Sequence, residues 1–256
     1  MAAAADAHWP APAEPAPDAA SAPSLSGSVQ STVPSGAKSL ATPQSTSADL
    51  SLIAYGDQVA GCVRCALAQT RTQVVFGSGS PTAELMFVGE APGFHEDKQG
   101  VPFVGAAGKL LDKLLGGIGL TRADVYVCNV LKCRPPGNRD PLPEEIQACE
   151  SHLFRQIELI QPTLVATLGN FATKLLSGKP AGITQVHGRE QHVVLGGNDV
   201  TLYPIFHPAA ALYTPRMLQV LEQDFARIPE LLGRQVEVVP EPAQPRIEQP
   251  VQLGLF

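Results

Sequence analysis

The sequence predicts an α/β sandwich built on a mostly parallel sheet. Short apolar runs at 84–88, 125–130 and 164–168 have the length and composition of buried strands. Segments with helical spacing of their apolar residues fall between them. Two of the runs hand over directly to a glycine, Gly89 and Gly169. Strands alternating with helices give a parallel sheet covered on its faces, and such sheets place ligands outside the carboxyl ends of their strands.

Taken in order, residues 48–60 read as a helix, with Ser47 as its cap. The run from Glu84 to Val88 is the first buried strand. Residues 105–115, GAAGKLLDKLL, space their leucines helically. Residues 125–130 form the second strand. Residues 143–160 form a long helix with Pro143 in its first turn and Glu144 and Glu145 at the positive end of its dipole. Residues 164–168 form the third strand and 170–177 a helix. Residues 189–195 and 200–206 read as a hairpin around Gly196-Gly197-Asn198. A closing helix spans 215–232. The loops after 88, 130 and 206 are therefore where chemistry is expected.

The folded domain spans 48–233. Residues 1–47, rich in Ala, Pro and Ser, hold too few large apolar side chains to offset the entropy of ordering and read as disordered. Residues 234–256 read as a flexible tail, Pro- and Glu-rich until its last five residues. No run of eighteen apolar residues suggests a membrane span. The first residues have neither the basic nor the apolar region of a secretory signal, so a cytoplasmic, monomeric protein is expected. The net charge of −6 argues against a nucleic-acid partner. Its distribution does not: between Lys98 and Arg139 stand Lys98, Lys109, Lys113, Arg122, Lys132, Arg134 and Arg139 against Asp112 and Asp124. Such a segment is either a solvated surface or a face for phosphates.

An odd number of cysteines, five, excludes a simple disulfide framework. Cys62 and Cys65 form a C-x2-C pair; Cys133 and Cys149 have fifteen residues between them, including a Pro/Gly-rich loop. This spacing admits zinc, an iron–sulfur cluster or buried free thiols. Cys128, inside a strand, reads as core.

Four stretches then point to one family. They are Gly89-Glu90-Ala91-Pro92-Gly93-Phe94-His95-Glu96-Asp97, Val101-Pro102-Phe103-Val104-Gly105, the run from Asn129 to Arg139 (NVLKCRPPGNR), and His207-Pro208-Ala209-Ala210. In this order, at strand ends, they resemble family 4 of the uracil-DNA glycosylases over roughly 50–230. The resemblance implies a three-layer α/β/α sandwich with a mostly parallel four-stranded central sheet. It also implies a [4Fe–4S] cluster on Cys62, Cys65, Cys133 and Cys149, and base excision repair of uracil-containing DNA by a nucleoid-associated enzyme.

An enzyme that cuts a glycosidic bond hidden in a duplex must evert the nucleotide and read its edge in a pocket. By the resemblance, Phe103 is the apolar plate under uracil, though alone it reads as a core phenylalanine. Asn129 reads O4 and N3–H, where cytosine presents the opposite pattern; without context it is a turn residue. His207 donates to O2 of the leaving base. Glu90 orients the water that attacks an oxocarbenium-like sugar, with Asp97 in reserve. The best-known uracil glycosylases carry an aspartate where Ala91 stands, so a dissociative path with backbone-held water is equally open. Glu96 lies against C5 and excludes the thymine methyl. Gly89 and Gly93 allow close backbone approach. The duplex wedge position falls on Ala211, which is small, leaving Leu212 or Tyr213 to substitute.

The chain ends in Gln252-Leu253-Gly254-Leu255-Phe256, which resembles the QLxLF peptide that docks bacterial proteins on the sliding clamp of the replicative polymerase. Gln252, Leu253, Leu255 and Phe256 would make the contacts. Two other readings compete. A sugar-trapping relative needs a histidine in loop 130–143, and that loop has none. A non-catalytic iron–sulfur DNA-binding module related to phage polymerase accessory regions would not need Glu90, Phe103, Asn129 and His207 together.

Overall fold

The structure is a computed structural model and describes residues 47–233. The N-terminal segment 1–46 and the tail 234–256, with the QLGLF group, lie outside the described residues. In chain order the elements are α1 (Ser47–Ala60), β1 (Ser78–Gly79), β2 (Leu85–Gly89), α2 (Phe94–Gln99), α3 (Ala106–Gly117), β3 (Val125–Asn129), α4 (Pro143–Ile160), β4 (Leu164–Leu168), α5 (Asn170–Ser177), α6 (Ile183–Val186), β5 (Gln191–Leu195), β6 (Asn198–Ile205), α7 (Pro208–Ala211), α8 (Pro215–Ala226) and α9 (Ile228–Leu231).

The sheet has six strands, in the order β1-β3-β2-β4-β6-β5, where four were expected. The four central strands, β3, β2, β4 and β6, pair in parallel. The two extra strands are antiparallel edges. β1 is two residues long and carries no apolar pattern, so sequence periodicity could not show it. β5 is the first arm of the expected hairpin; it joins the sheet as an edge, exposed on alternate residues.

Alternation along the central strands builds two cores. Met86, Val88, Tyr126, Cys128 and Val165 face the layer of α1, α4 and α5, packing with Leu52, Leu153, Ile157 and Leu176. Leu85, Phe87, Val125, Val127 and Ala166 face the layer of α3 and α8, packing with Leu111, Leu115, Leu221 and Phe225. Every residue of β2, β3 and β4 is buried, which is why these strands read as continuous apolar runs. The architecture is the expected three-layer α/β/α sandwich. The expected closing helix is two helices, because Pro229 has no backbone N–H and its ring crowds the preceding turn.

All four parallel strands point their carboxyl ends the same way. Gly89, Asn129 and the residues after Ile205 therefore arrive at one edge of the sheet.

Candidate active site

A cleft of about 280 Å³ opens at that edge, and its walls include Glu90, Ala91, Glu96, Phe103, Asn129 and His207. Gly89 lies directly beneath. A Cβ there would stand 2.4 Å from Asn129 Oδ1 and 2.6 Å from Phe103 Cζ. The close approach that Gly89 allows is thus that of the chain's own amide and ring. Gly93 does the same for Glu96, whose Oε2 would meet a Cβ at 2.7 Å.

Phe103 adopts a left-handed backbone, φ 55°, which is rare for a bulky side chain. Its surroundings hold it there. The Arg122 guanidinium donates to the Phe103 carbonyl at 2.8 Å. Glu96 Oε1 accepts the next two backbone N–H groups, Val104 at 3.0 Å and Gly105 at 2.9 Å. Gly108 in α3 leaves room for the Phe103 carbonyl, which a Cβ would meet at 1.7 Å. The ring stacks loosely with the His207 imidazole, centroids 5.6 Å apart and 27° between planes.

His207 ends the β6 loop and caps α7. Its Nδ1 accepts the Ala209 N–H at 3.1 Å, so a neutral ring carries its proton on Nε2. Burial pushes the imidazole down to about 4, with the Glu96 charge opposing, so it is neutral at pH 7. Asn129 ends β3 and is 2 % exposed. Its Oδ1 is the one buried side-chain N or O atom among the described residues without a hydrogen-bond partner. Glu90 is half-buried, and burial, then the Asp140 charge, raises its carboxyl above the usual range.

Asp97 is not part of this cleft. Its carboxylate is buried and accepts from Thr72 N at 2.9 Å and Thr72 Oγ1 at 2.6 Å, tying α2 to the segment before β1. Ala211, at the wedge position, is buried; Leu212 is at the margin of exposure and Tyr213 is 89 % exposed.

A model of the uracil DNA glycosylase superfamily matches residues 76–228. This chain belongs to that superfamily. The type-4 uracil-DNA glycosylase of Sulfurisphaera tokodaii is 48% identical over 180 residues, covering 68% of this chain and 82% of the relative. That of Archaeoglobus fulgidus is 47% identical over 181 residues, 69% of this chain and 91% of the relative. A DNA polymerase of Bacillus phage SP01 is also similar, 31% identical over 157 residues, but these are 61% of this chain and only 16% of the polymerase.

The cleft has a further wall, Pro135, Asn138 and Arg139, to which the motifs assign no contact with the base. Arg139 forms a two-pronged pair with Glu145, at 2.6 and 2.9 Å, and Glu145 also accepts the Leu142 N–H, capping α4. The Arg139 guanidinium holds Glu145 below the usual carboxylate range. Behind Asn129 lies Lys132, 1 % exposed. Its ammonium donates to the Asn129 carbonyl at 2.7 Å and to Gln156 Oε1 at 2.5 Å, while Gln156 Nε2 donates to Tyr126 Oη. A lysine among apolar neighbours gives no sequence signal for such a role.

Of the four cysteines singled out by spacing, Cys149 lies against the Lys132 backbone. Lys132 N donates to Cys149 Sγ at 3.3 Å, Arg71 to Cys133 Sγ at 3.5 Å, and His152 Nε2 lies 3.4 Å from Cys62 Sγ. Burial pushes the Cys133 thiol up to about 11; Arg71 opposes this, and Cys149 and Cys65 add to it. Cys149 in turn feels Cys65 and Cys62. All are free thiols, and among the described residues no group of three or more His, Cys, Asp or Glu side chains is arranged to hold a metal ion. No helix among the described residues is long and apolar enough to cross a membrane.

Proposed function

We propose that the chain is a uracil-DNA glycosylase that hydrolyses the bond between uracil and deoxyribose in DNA and so initiates base excision repair. The observation that carries this is the orphaned Asn129 Oδ1 beside Phe103 and His207. A buried acceptor left without a partner costs about 1–3 kcal/mol. A ligand that donates one hydrogen bond there recovers that cost, and uracil N3–H is such a donor. The Asn129 amide then faces O4. Cytosine offers a lone pair at N3 and an amine at C4, so it leaves the acceptor unpaired and sets donor against donor.

Phe103 supplies the apolar plate for the everted base. The Nε2–H of the neutral His207 points charge stabilisation at O2 as uracil departs with the bonding electron pair. The carboxylate of Glu90 orients the water that supplies hydroxyl to C1′ and faces the cationic sugar. Glu96, fixed by two amides, is a rigid wall against a C5 methyl. Tyr213, exposed at the end of α7, takes the wedge role that buried Ala211 cannot.

The cysteines Cys62, Cys65, Cys133 and Cys149 hold a [4Fe–4S] cluster. Four thiolates are the ligand set that such a cluster takes, and N–H groups of Lys132 and Arg71 already donate to Cys149 and Cys133, as outer-shell partners of cluster thiolates do. The cluster ties the end of α1 to α4 and the 130–139 loop. Purified protein should be brown with broad absorption near about 400 nm, as tetrathiolate iron clusters are; a colourless, zinc-loaded protein would exclude the cluster. The Gln252–Phe256 group docks on the bacterial sliding clamp. Deleting 252–256 should abolish capture by the clamp and leave turnover on short oligonucleotides unchanged; capture that survives the deletion rules this out.

The similarity to part of a phage polymerase favours a second reading, a DNA-binding module without catalysis. One assay separates them. Uracil-containing single- and double-stranded DNA is incubated with the protein and abasic sites are cleaved with alkali. Cleaved strands mean an enzyme, intact DNA with retained binding means a module, and a stable protein–DNA adduct means sugar trapping.

A further inference from the structure

At the rim of the cleft, Phe94 is exposed, at 45 %, on the first turn of α2. The Lys98 ammonium lies 4.4 Å from its ring centroid and the Arg134 guanidinium 5.2 Å. His95 meets the ring edge-on at 5.5 Å. Neither Lys98 nor Arg134 forms an ion pair with a carboxylate among the described residues. Arg139, at the same rim, is by contrast neutralised by Glu145.

We propose that Phe94, Lys98 and Arg134 form a phosphate clamp for the DNA strand flanking the everted nucleotide. This rests on the glycosylase reading and adds where the strand runs. An aromatic ring attracts a cation through its quadrupole, yet carries no net charge. It therefore holds two flexible cationic side chains in place without neutralising them, which a carboxylate would do. Placement is fixed at both ends. Arg134 Nε donates to Asn138 Oδ1 at 2.7 Å, and Asn138 lines the cleft. Phe94 follows Gly93, which also lines the cleft. Two unpaired cations set beside the base cleft, in a chain of net charge −6, complement the phosphates on either side of an everted base.

The test is the salt dependence of binding. Kd for a uracil-containing single-stranded oligonucleotide is measured by anisotropy from low to high salt. Each phosphate contact contributes about 0.7 to the slope of log K against log salt on single strands. Lys98→Ala and Arg134→Gln should each reduce the slope by about that much, and the double variant by about twice as much. Phe94→Ala keeps both charges but frees them, so it should weaken binding with little change in slope. Lys179→Ala is the control. Lys179 follows α5, donates to Gln191 on the edge strand β5 and is not among the residues that line the cleft, so it should leave the slope unchanged. Alkaline cleavage after incubation with unaltered protein is run alongside. No uracil release would overturn the glycosylase reading and this proposal with it. Release by the unaltered chain, with slopes untouched in Lys98→Ala and Arg134→Gln, would overturn the clamp alone.

Discussion

At the scale of single residues, the cleft is a set of side chains whose alternatives have been removed. Asn129 Oδ1 has no partner among the described residues, and the His207 tautomer is set by the Ala209 N–H. In the proposed reaction these two groups would do different work, and their variants should then separate. Asn129 binds the base in ground and transition states alike, so Asn129→Ala should cost about 2 kcal/mol in kcat/KM, roughly 30-fold, and relax discrimination against cytosine. His207 acts on charge that develops only as the bond breaks, so His207→Ala should lower kcat by about 10²–10³-fold. Single-turnover rates on uracil- and cytosine-containing strands measure both. Equal losses on kcat in the two variants would contradict this division.

At the scale of elements, Phe103 is held from α2 by Glu96, which accepts the two amides that follow it, and from α3 by the space that Gly108 leaves. Gly108 is the tightest of these, with the Phe103 carbonyl where a Cβ would stand. Gly108→Ala should displace the plate and cost at least about 10²-fold in kcat/KM, in line with the penalty for a misplacement of about 1 Å, with a circular-dichroism spectrum close to that of the unaltered chain. A variant of full activity would show that the plate does not need this seat. At the turn between α7 and α8, Tyr213→Ala should lower activity on double-stranded uracil DNA several-fold more than on single-stranded DNA, since unstacking a duplex costs a few kcal/mol that a single strand does not demand. A uniform loss on both substrates would remove Tyr213 from the wedge role. This is also the scale at which the sequence was most and least legible. Buried strands β2, β3 and β4 announce themselves as unbroken apolar runs, and Pro143 marks the start of α4. β1 has only two residues, and α2, FHEDKQ, has no apolar stripe to reveal a helix. Cleft residues at strand ends were legible through motif and topology together. The left-handed Phe103, the diversion of Asp97 to Thr72 and the buried ammonium of Lys132 were not, because each depends on contacts between segments distant in the chain.

For the molecule as a whole, the cleft sets how stability varies with acidity. His207 titrates near 6.5 in an unfolded chain, and burial lowers it to about 4 in the folded one. Between these values the unfolded state binds the proton and the folded state refuses it, so stability falls as pH drops from about 6.5 towards 4. From pH 7 to pH 5 this group alone should remove about 2 kcal/mol. Glu145, held low by Arg139, loses its contribution only as pH falls into the carboxylate range, and the raised carboxyl of Glu90 works in the opposite direction there. The raised carboxyls of Glu150 and Asp224 share the direction of Glu90, so the difference between a variant and the unaltered protein, not the total fall, isolates one imidazole. His152 shares the direction of His207, lowered to about 4 by burial and then by the charges of Arg64 and Lys132, so the single variant should remove only part of the slope. Urea unfolding at pH 7 and pH 5 should show a fall in stability that is smaller by about 2 kcal/mol in His207→Gln, because glutamine cannot take the proton. An identical fall in both proteins would mean that the imidazole is hydrated and protonated in the folded state, and would remove the neutral Nε2–H donor on which the leaving-group chemistry depends.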